Sequence, residues 1–150
     1  MDQNINKIGY CNSYFKVDTN KIVENYFKVK NYIGDNVGVI PVLKGNAYGY
    51  GLVPIAKIFE NRCHVEMLAN AAVYEAVQLR EAGVQCEILI IGGVPQHLIP
   101  AAVQYHLQIP LFEKTTAKNL NDAAERAGIT MKAHIKIETG MNRLGVKPGR

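Results

Sequence analysis

Residues 39–51 read VIPVLKGNAYGYG, an apolar run that ends on Lys44 and turns at once into a glycine-rich stretch. A short run without polar alternation suits a strand covered on both faces, as in a parallel sheet. Lys44 then falls at the carboxyl end of that strand, where the βα loops of α/β folds open and gather reactive groups. A lysine partly withdrawn from water there loses some preference for its charged form, and its neutral amine can attack a carbonyl to form a Schiff base. Periodicity alone also allows a solvated lysine at a strand end. Gly45, Gly49 and Gly51 permit positive φ and close approach to a ligand. They make no dinucleotide fingerprint, because Gly49-Tyr50-Gly51 runs on into Leu52-Val53-Pro54 without a third glycine.

Outward from this stretch the chain alternates regularly. Apolar runs over 37–43, 65–69, 87–92, 107–112 and 131–138 predict strands, and helical patterns over 20–33, 52–60, 71–82, 96–105 and 116–127 lie between and around them. Asp18 and Thr19 offer caps to the first helix and Thr115 to the last, Gly34, Gly83 and Gly128 offer stops, and Pro54 stands in a first turn. A further strand is expected over 13–17. The class is α/β, and the alternation fits a doubly wound sheet or a (β/α)8 TIM-type barrel equally well.

Composition narrows the function classes. The 150 residues are 48% hydrophobic, enough for one core. Net charge is +4, from 17 basic and 13 acidic side chains, and the basic residues are scattered rather than interleaved with aromatics, which argues against nucleic acid. Cys11, Cys63 and Cys86 form no CxxC pair, and His64, His97, His106 and His134 share no metal-ligand spacing, so no disulfide framework and no metal site is expected. His134 reads as a core histidine, and Cys63–His64, taken as neighbours in extended chain, would point to opposite faces. Asn70 stands near the end of the second strand, where a polar contact to a ligand is open to it. Neither a signal peptide nor a membrane span is evident, and a reducing cytoplasm fits best.

Two blocks carry a family resemblance. Val42 to Gly51, VLKGNAYGYG, resembles the pyridoxal-phosphate lysine motif of alanine racemases, commonly V-K-A-N-A-Y-G-H-G, and His134 to Val146, HIKIETGMNRLGV, resembles their later K-x-D-T-G-M-x-R-x-G block. The text between them, including EAVQLREAG from Glu75 to Gly83, is similar in kind. The resemblance implies the barrel rather than the doubly wound sheet, with residues 20–150 as roughly its first five strand–helix units. It also implies that the strand in segment 1–19 pairs with a C-terminal β domain outside this chain.

The same resemblance implies pyridoxal 5′-phosphate as cofactor, held by Lys44 as an imine, with Lys44 one of two acid/base groups. It implies that Tyr48 bonds the cofactor phosphate, that Arg143 reaches the cofactor's phenolic oxygen and the substrate carboxylate, and that Met141 lines the pocket. Lys136 occupies the position where many members carry a carbamylated lysine that orients the arginine. A small amino acid is the implied substrate, alanine by default for peptidoglycan precursors, with serine, ornithine or broad specificity as alternatives. A decarboxylase of the same barrel family, or a noncatalytic carrier of the cofactor, is less favoured. The second base is a tyrosine from the partner of a homodimer, so these 150 residues alone are expected to be inactive. Gly45, Tyr50 and Glu138 depart from the family's usual alanine, histidine and aspartate.

Overall fold

The computed structural model describes residues 14–149. Alternation of helix and strand is what the chain adopts. Helix α1 (Thr19–Ile33) is followed by a one-turn element α2 (Lys44–Tyr48) and by α3 (Leu52–Cys63). Then come β1 (Met67–Asn70), α4 (Val73–Glu81), β2 (Glu87–Ile90), a 3-10 turn at Gln96–Leu98, α5 (Ile99–Gln104), β3 (Ile109–Leu111), α6 (Lys114–Ala127) and β4 (Ala133–Ile135).

Every strand contact is parallel and follows chain order. β1 pairs with β2 in the register Met67 to Glu87, and β3 with β4 in the register Ile109 to Ala133. Single bridges extend the series, Val42 to Ala69 on one side of β1 and Leu89 to Gln108 between β2 and β3. Parallel neighbours require a crossover, and the helices supply it. Their apolar stripes show why they pack as they do: α6 buries Thr116, Leu120, Ala123 and Ala124, at steps of three and four residues, while α4 buries Val73, Ala76 and Leu79. Leu68, Leu79, Ile88, Ile90, Ile99, Leu107 and Ile109 lie at the centre of the core, all with less than 2% of their surface exposed.

Polar side chains lock the crossovers. Arg80 donates from Nη1 to the carbonyls of Val84 (2.8 Å) and Cys86 (2.7 Å), and from Nε to that of Tyr105 (3.2 Å), tying α4 to the loop beyond it and to the end of α5. Glu60 accepts from the backbone amides of Gln85 (2.5 Å) and Cys86 (3.0 Å) and pairs with Lys57, fixing α3 to the same loop.

Several sequence expectations change in detail. Of the strand expected over 37–43, only Val42 bridges, and Val37 and Ile40 stay exposed, because this segment finds a strand partner on one side alone among the described residues. The strand expected over 131–138 contracts to β4, and the helix over 71–82 to α4. The helix over 96–105 divides into the 3-10 turn and α5, since Pro100 has no N–H to continue the bonding and fits the first turn of a new helix. Helix α3 runs on past residue 60 to Cys63. Asp18 caps α1 as expected, accepting from Asn20 and Lys21 amides, but α6 starts after Glu113 without a side-chain cap, and Thr116 is buried instead of leading the helix. Residues 14–17 form no strand; Ser13, like residues 1–12, lies outside the described residues.

Leu79 tests the packing. Leu79→Ala is expected to lower unfolding free energy by about 2–5 kcal/mol in equilibrium denaturation, the usual cost of emptying a fully buried leucine site. A loss near zero would mean that α4 does not pack on the core as described.

Candidate functional site

Lys44 leaves the sheet at the carboxyl end of its strand. Leu43 donates its amide to Ala69 O and Ala69 donates its own to Pro41 O, both at 2.8 Å, so the segment is pinned to β1 up to the residue before the lysine. Leu43 turns into the core, 3% exposed, and Lys44 is half-buried.

The chain then reverses the hand of its backbone. Gly45, Asn46, Ala47 and Tyr48 take φ of 65°, 54°, 53° and 55°, so α2 is a left-handed turn. L-residues pay roughly 1–2 kcal/mol each for that conformation, glycine excepted, and the turn holds only because surrounding bonds over-determine it. Ala47 donates to Leu43 O (2.8 Å), Gly49 to Gly45 O (3.1 Å) and Gly51 to Asn46 O (3.1 Å). The Asn46 side-chain oxygen accepts from Leu52 (2.7 Å), the first residue of α3. The expected glycine-rich loop is therefore a folded turn; asparagine takes the left-handed conformation more readily than most residues, but Ala47 and Tyr48 carry no sequence signature for it.

The turn brings Lys44 and Tyr48 together. Lys44 Nζ lies 6.0 Å from the centre of the Tyr48 ring, and the ring is largely exposed. Phe15 packs on Tyr50 with ring centres 5.4 Å apart, giving the turn an aromatic flank.

Lys136 follows β4, and its Nζ donates to the carbonyl of Ile91, just past the end of β2, at 3.0 Å. The loop beyond it is closed by a bridge between Ile137 and Val146. Gly145 makes that closure possible, because a Cβ there would stand 2.6 Å from the Glu138 backbone nitrogen. Inside the loop, Glu138 accepts from the amides of Gly140 (2.5 Å) and Arg143 (3.2 Å). The extra methylene relative to aspartate does not cost the loop its carboxylate anchor. Amides, Asn142 foremost and then Gly140, hold the Glu138 carboxyl below the ordinary carboxylate range.

Arg143 and Met141 sit on this loop, both exposed, and the Arg143 guanidinium makes no hydrogen bond or ion pair within the described residues. Lys44, Asn70, Lys136 and Arg143 thus all stand at the carboxyl ends of parallel strands. Lys44 lies against the Tyr48 ring. Asn70 is fully buried, its oxygen accepting from the Ala71 amide and its Nδ2 without a hydrogen-bond partner among the described residues.

A second polar group escaped the sequence reading. Glu87 accepts from Lys132 (2.5 Å) and Gln108 (3.0 Å), and the Gln108 oxygen meets His134 Nε2 at 2.6 Å. Lys132 first, then Gln108, keep the Glu87 carboxyl below its ordinary range. Glu87 opens β2, so this cluster lies at the amino ends of the strands, away from Lys44. His134 is consequently exposed and tied to Gln108, not a core histidine. Cys63 and His64 are at the end of α3 rather than in a strand. Burial pushes the Cys63 thiol up, and His64, exposed, caps the helix in left-handed conformation. Among the described residues no group of three or more histidine, cysteine or acidic side chains is placed to hold a metal ion, and no helix is long and apolar enough to cross a membrane.

The fold and this edge define an α/β protein that presents a lysine amine and a tyrosine hydroxyl from one turn, and a guanidinium from a second, at one end of a parallel array. Residues 17–150 match the family model described as "Alanine racemase, N-terminal domain", and the chain belongs to that family. Alanine racemase 2 of Caldanaerobacter subterraneus subsp. tengcongensis is 39% identical over 131 residues, covering 87% of this chain and 33% of the relative. The alanine racemase of Halothermothrix orenii is 35% identical over 136 residues, 91% of this chain and 36% of the relative. Among solved structures, an alanine racemase of Clostridium difficile 630 superposes with a TM-score of 0.81 at 30% identity, over 84% of this chain and 33% of that one. The chain spans about a third of the length of these relatives.

Glu138 gives a pH test of the arginine loop. A carboxyl whose pKa is depressed by folding stabilises the loop above its ordinary value of 4.5 and ceases to do so as pH falls through the depressed one. Amide resonances of Gly140 and Asn142 are expected to shift together with a midpoint below 4.5, and to lose that titration in Glu138→Gln. A midpoint at or above 4.5 would remove the carboxylate from its place in the loop.

Proposed function

We propose that this chain supplies the cofactor-binding portion of a pyridoxal-phosphate-dependent amino-acid racemase acting on alanine. The carrying observation is Lys44, half-buried at the carboxyl end of a parallel strand and led into a left-handed turn that sets Tyr48 beside it, in a chain of the alanine racemase family. The sequential parallel order of the strands supports reading them as the first five of a (β/α)8 barrel.

The donor set suits a phosphorylated aldehyde: an amine for the carbonyl carbon, a neutral hydroxyl for the phosphate and a planar guanidinium for carboxylate or phenolate oxygen. When bound, pyridoxal phosphate supplies an electron-withdrawing ring that makes the α-proton of an amino acid removable. Lys44 Nζ would hold the cofactor through its aldehyde carbon and, as a free amine, would carry a proton to or from one face of the substrate Cα. The Tyr48 hydroxyl would donate a hydrogen bond to a phosphate oxygen. Arg143 orients the substrate carboxylate through its fork of donors, with Met141 beside it on the pocket wall. Lys136, carbamylated, would turn that guanidinium toward the cofactor by the negative charge it acquires.

The opposite face needs a second proton carrier, and a tyrosine from the partner of a homodimer fills that role in this reading. The product would serve peptidoglycan precursor synthesis in the cytoplasm.

Two measurements test the proposal. Borohydride reduction after incubation with pyridoxal phosphate is expected to place the label on Lys44, and Lys44→Ala to abolish it; a label mainly on another lysine refutes the assignment. In the full-length enzyme, Arg143→Lys is expected to lower alanine racemisation by about a hundredfold or more while leaving the cofactor attached, because an ammonium cannot reproduce a two-pronged contact. Unchanged turnover would remove Arg143 from the reaction.

A further inference from the structure

The left-handed turn behind Lys44 needs an anchor outside itself. Its internal hydrogen bonds close the turn but do not choose its hand at Asn46, Ala47 and Tyr48, where L-residues prefer the opposite one. Asn46 is the pivot: its side chain caps α3 at Leu52, and its backbone amide points the other way.

That amide donates to Glu75 Oε1 at 2.7 Å across 29 residues of chain. Glu75 lies in the first turn of α4, is 4% exposed, and makes no ion pair among the described residues. A carboxylate is seldom buried without a cation unless hydrogen bonds repay its lost hydration. The Asn46 amide is its hydrogen-bond donor among the described residues, and a bond of this kind to an ionised carboxylate is about twice as strong as a neutral one.

We propose that Glu75 is a positioning residue for Lys44: its carboxylate holds the Asn46 amide, fixes the left-handed hand of the Gly45–Tyr48 turn, and so sets the direction in which the lysine amine is presented. The inference deepens the proposed function and rests on it where cofactor attachment is concerned. α4 thereby acts on the site without touching substrate or cofactor, through a relay that runs from Glu75 to Asn46 and from Asn46 to the start of α3. Ala47, 4% exposed, adds a packing anchor on the same side of the turn.

The test uses the full-length chain as wild type, Glu75→Met, which keeps length and bulk but has no acceptor oxygen, and Glu75→Gln, which keeps an oxygen without the charge. Amide hydrogen exchange is read at Asn46 and, as a measure of the core, at Leu79; borohydride labelling with pyridoxal phosphate is read at Lys44. In Glu75→Met, exchange at Asn46 is expected to quicken at least about tenfold with Leu79 unchanged, and labelling at Lys44 to fall by a similar factor. Glu75→Gln is expected to recover most of both, and adding Ala47→Gly to Glu75→Met to recover part of the labelling, since glycine takes the left-handed conformation without penalty.

A folded Glu75→Met chain that protects Asn46 and labels Lys44 as the wild type does would overturn the inference. So would an Asn46 amide that already exchanges at the free-peptide rate in the wild type, a measurement that does not depend on any variant folding. A wild-type label on a different lysine would refute the racemase reading, while exchange at Asn46 would go on deciding the role of Glu75.

Discussion

Two hydrogen bonds, Leu43 N to Ala69 O and Ala69 N to Pro41 O, join the lysine-bearing segment to the remainder of the sheet. Everything at the reactive edge depends on them. They set the register that sends Leu43 into the core and leaves Lys44 at the rim, and a slip of one residue would exchange the two. On the far side of Lys44 the left-handed turn supplies the second constraint, so the lysine is held between a ladder and a fold-back. A long flexible side chain is thereby given a rigid base.

The distribution of charge follows the polarity of the strands. At the amino ends, Glu87 is paired with Lys132 and accepts from Gln108, whose oxygen meets His134, a closed arrangement that cross-links strands. At the carboxyl ends the cations are left open, with Arg143 free of acidic partners among the described residues and Lys136 resting on a backbone carbonyl. With Glu138 held by loop amides and the Arg143 guanidinium left without an acidic partner among the described residues, this end is suited to receiving anions.

Much of this was legible in the sequence. The helix expected over 116–127 and the cap at Asp18 are local features, and both are present, the helix starting two residues earlier at Lys114. The strands were found but overdrawn, since apolar runs mark burial and not bonding: residues 37–41 have no ladder of their own because a strand needs a neighbour that periodicity does not supply. Lys44 and Tyr48 were recognisable by motif. The hand of the turn between them was not, because Ala47 and Tyr48 adopt left-handed φ under tertiary constraint, against their own preference. Glu75 and the Glu87 cluster were invisible for a related reason: their partners lie tens of residues away, and only the folded chain brings them together.

The parallel order of the strands has a consequence for how the chain comes into being. Each strand's neighbour follows it within about 30 residues, so every pairing can form soon after its second member is made, without waiting for a distant segment. During synthesis the lysine-bearing strand would dock on β1 as soon as α3 had folded between them, and each later unit would add to a surface already in place. The bond from Lys136 to Ile91, which spans 45 residues, comes after that growth and ties its far end back toward the middle. A chain built this way acquires the carboxyl-end edge of its strands from the amino terminus onward, with Lys44 and its left-handed turn in place before Lys136 and Arg143 are added.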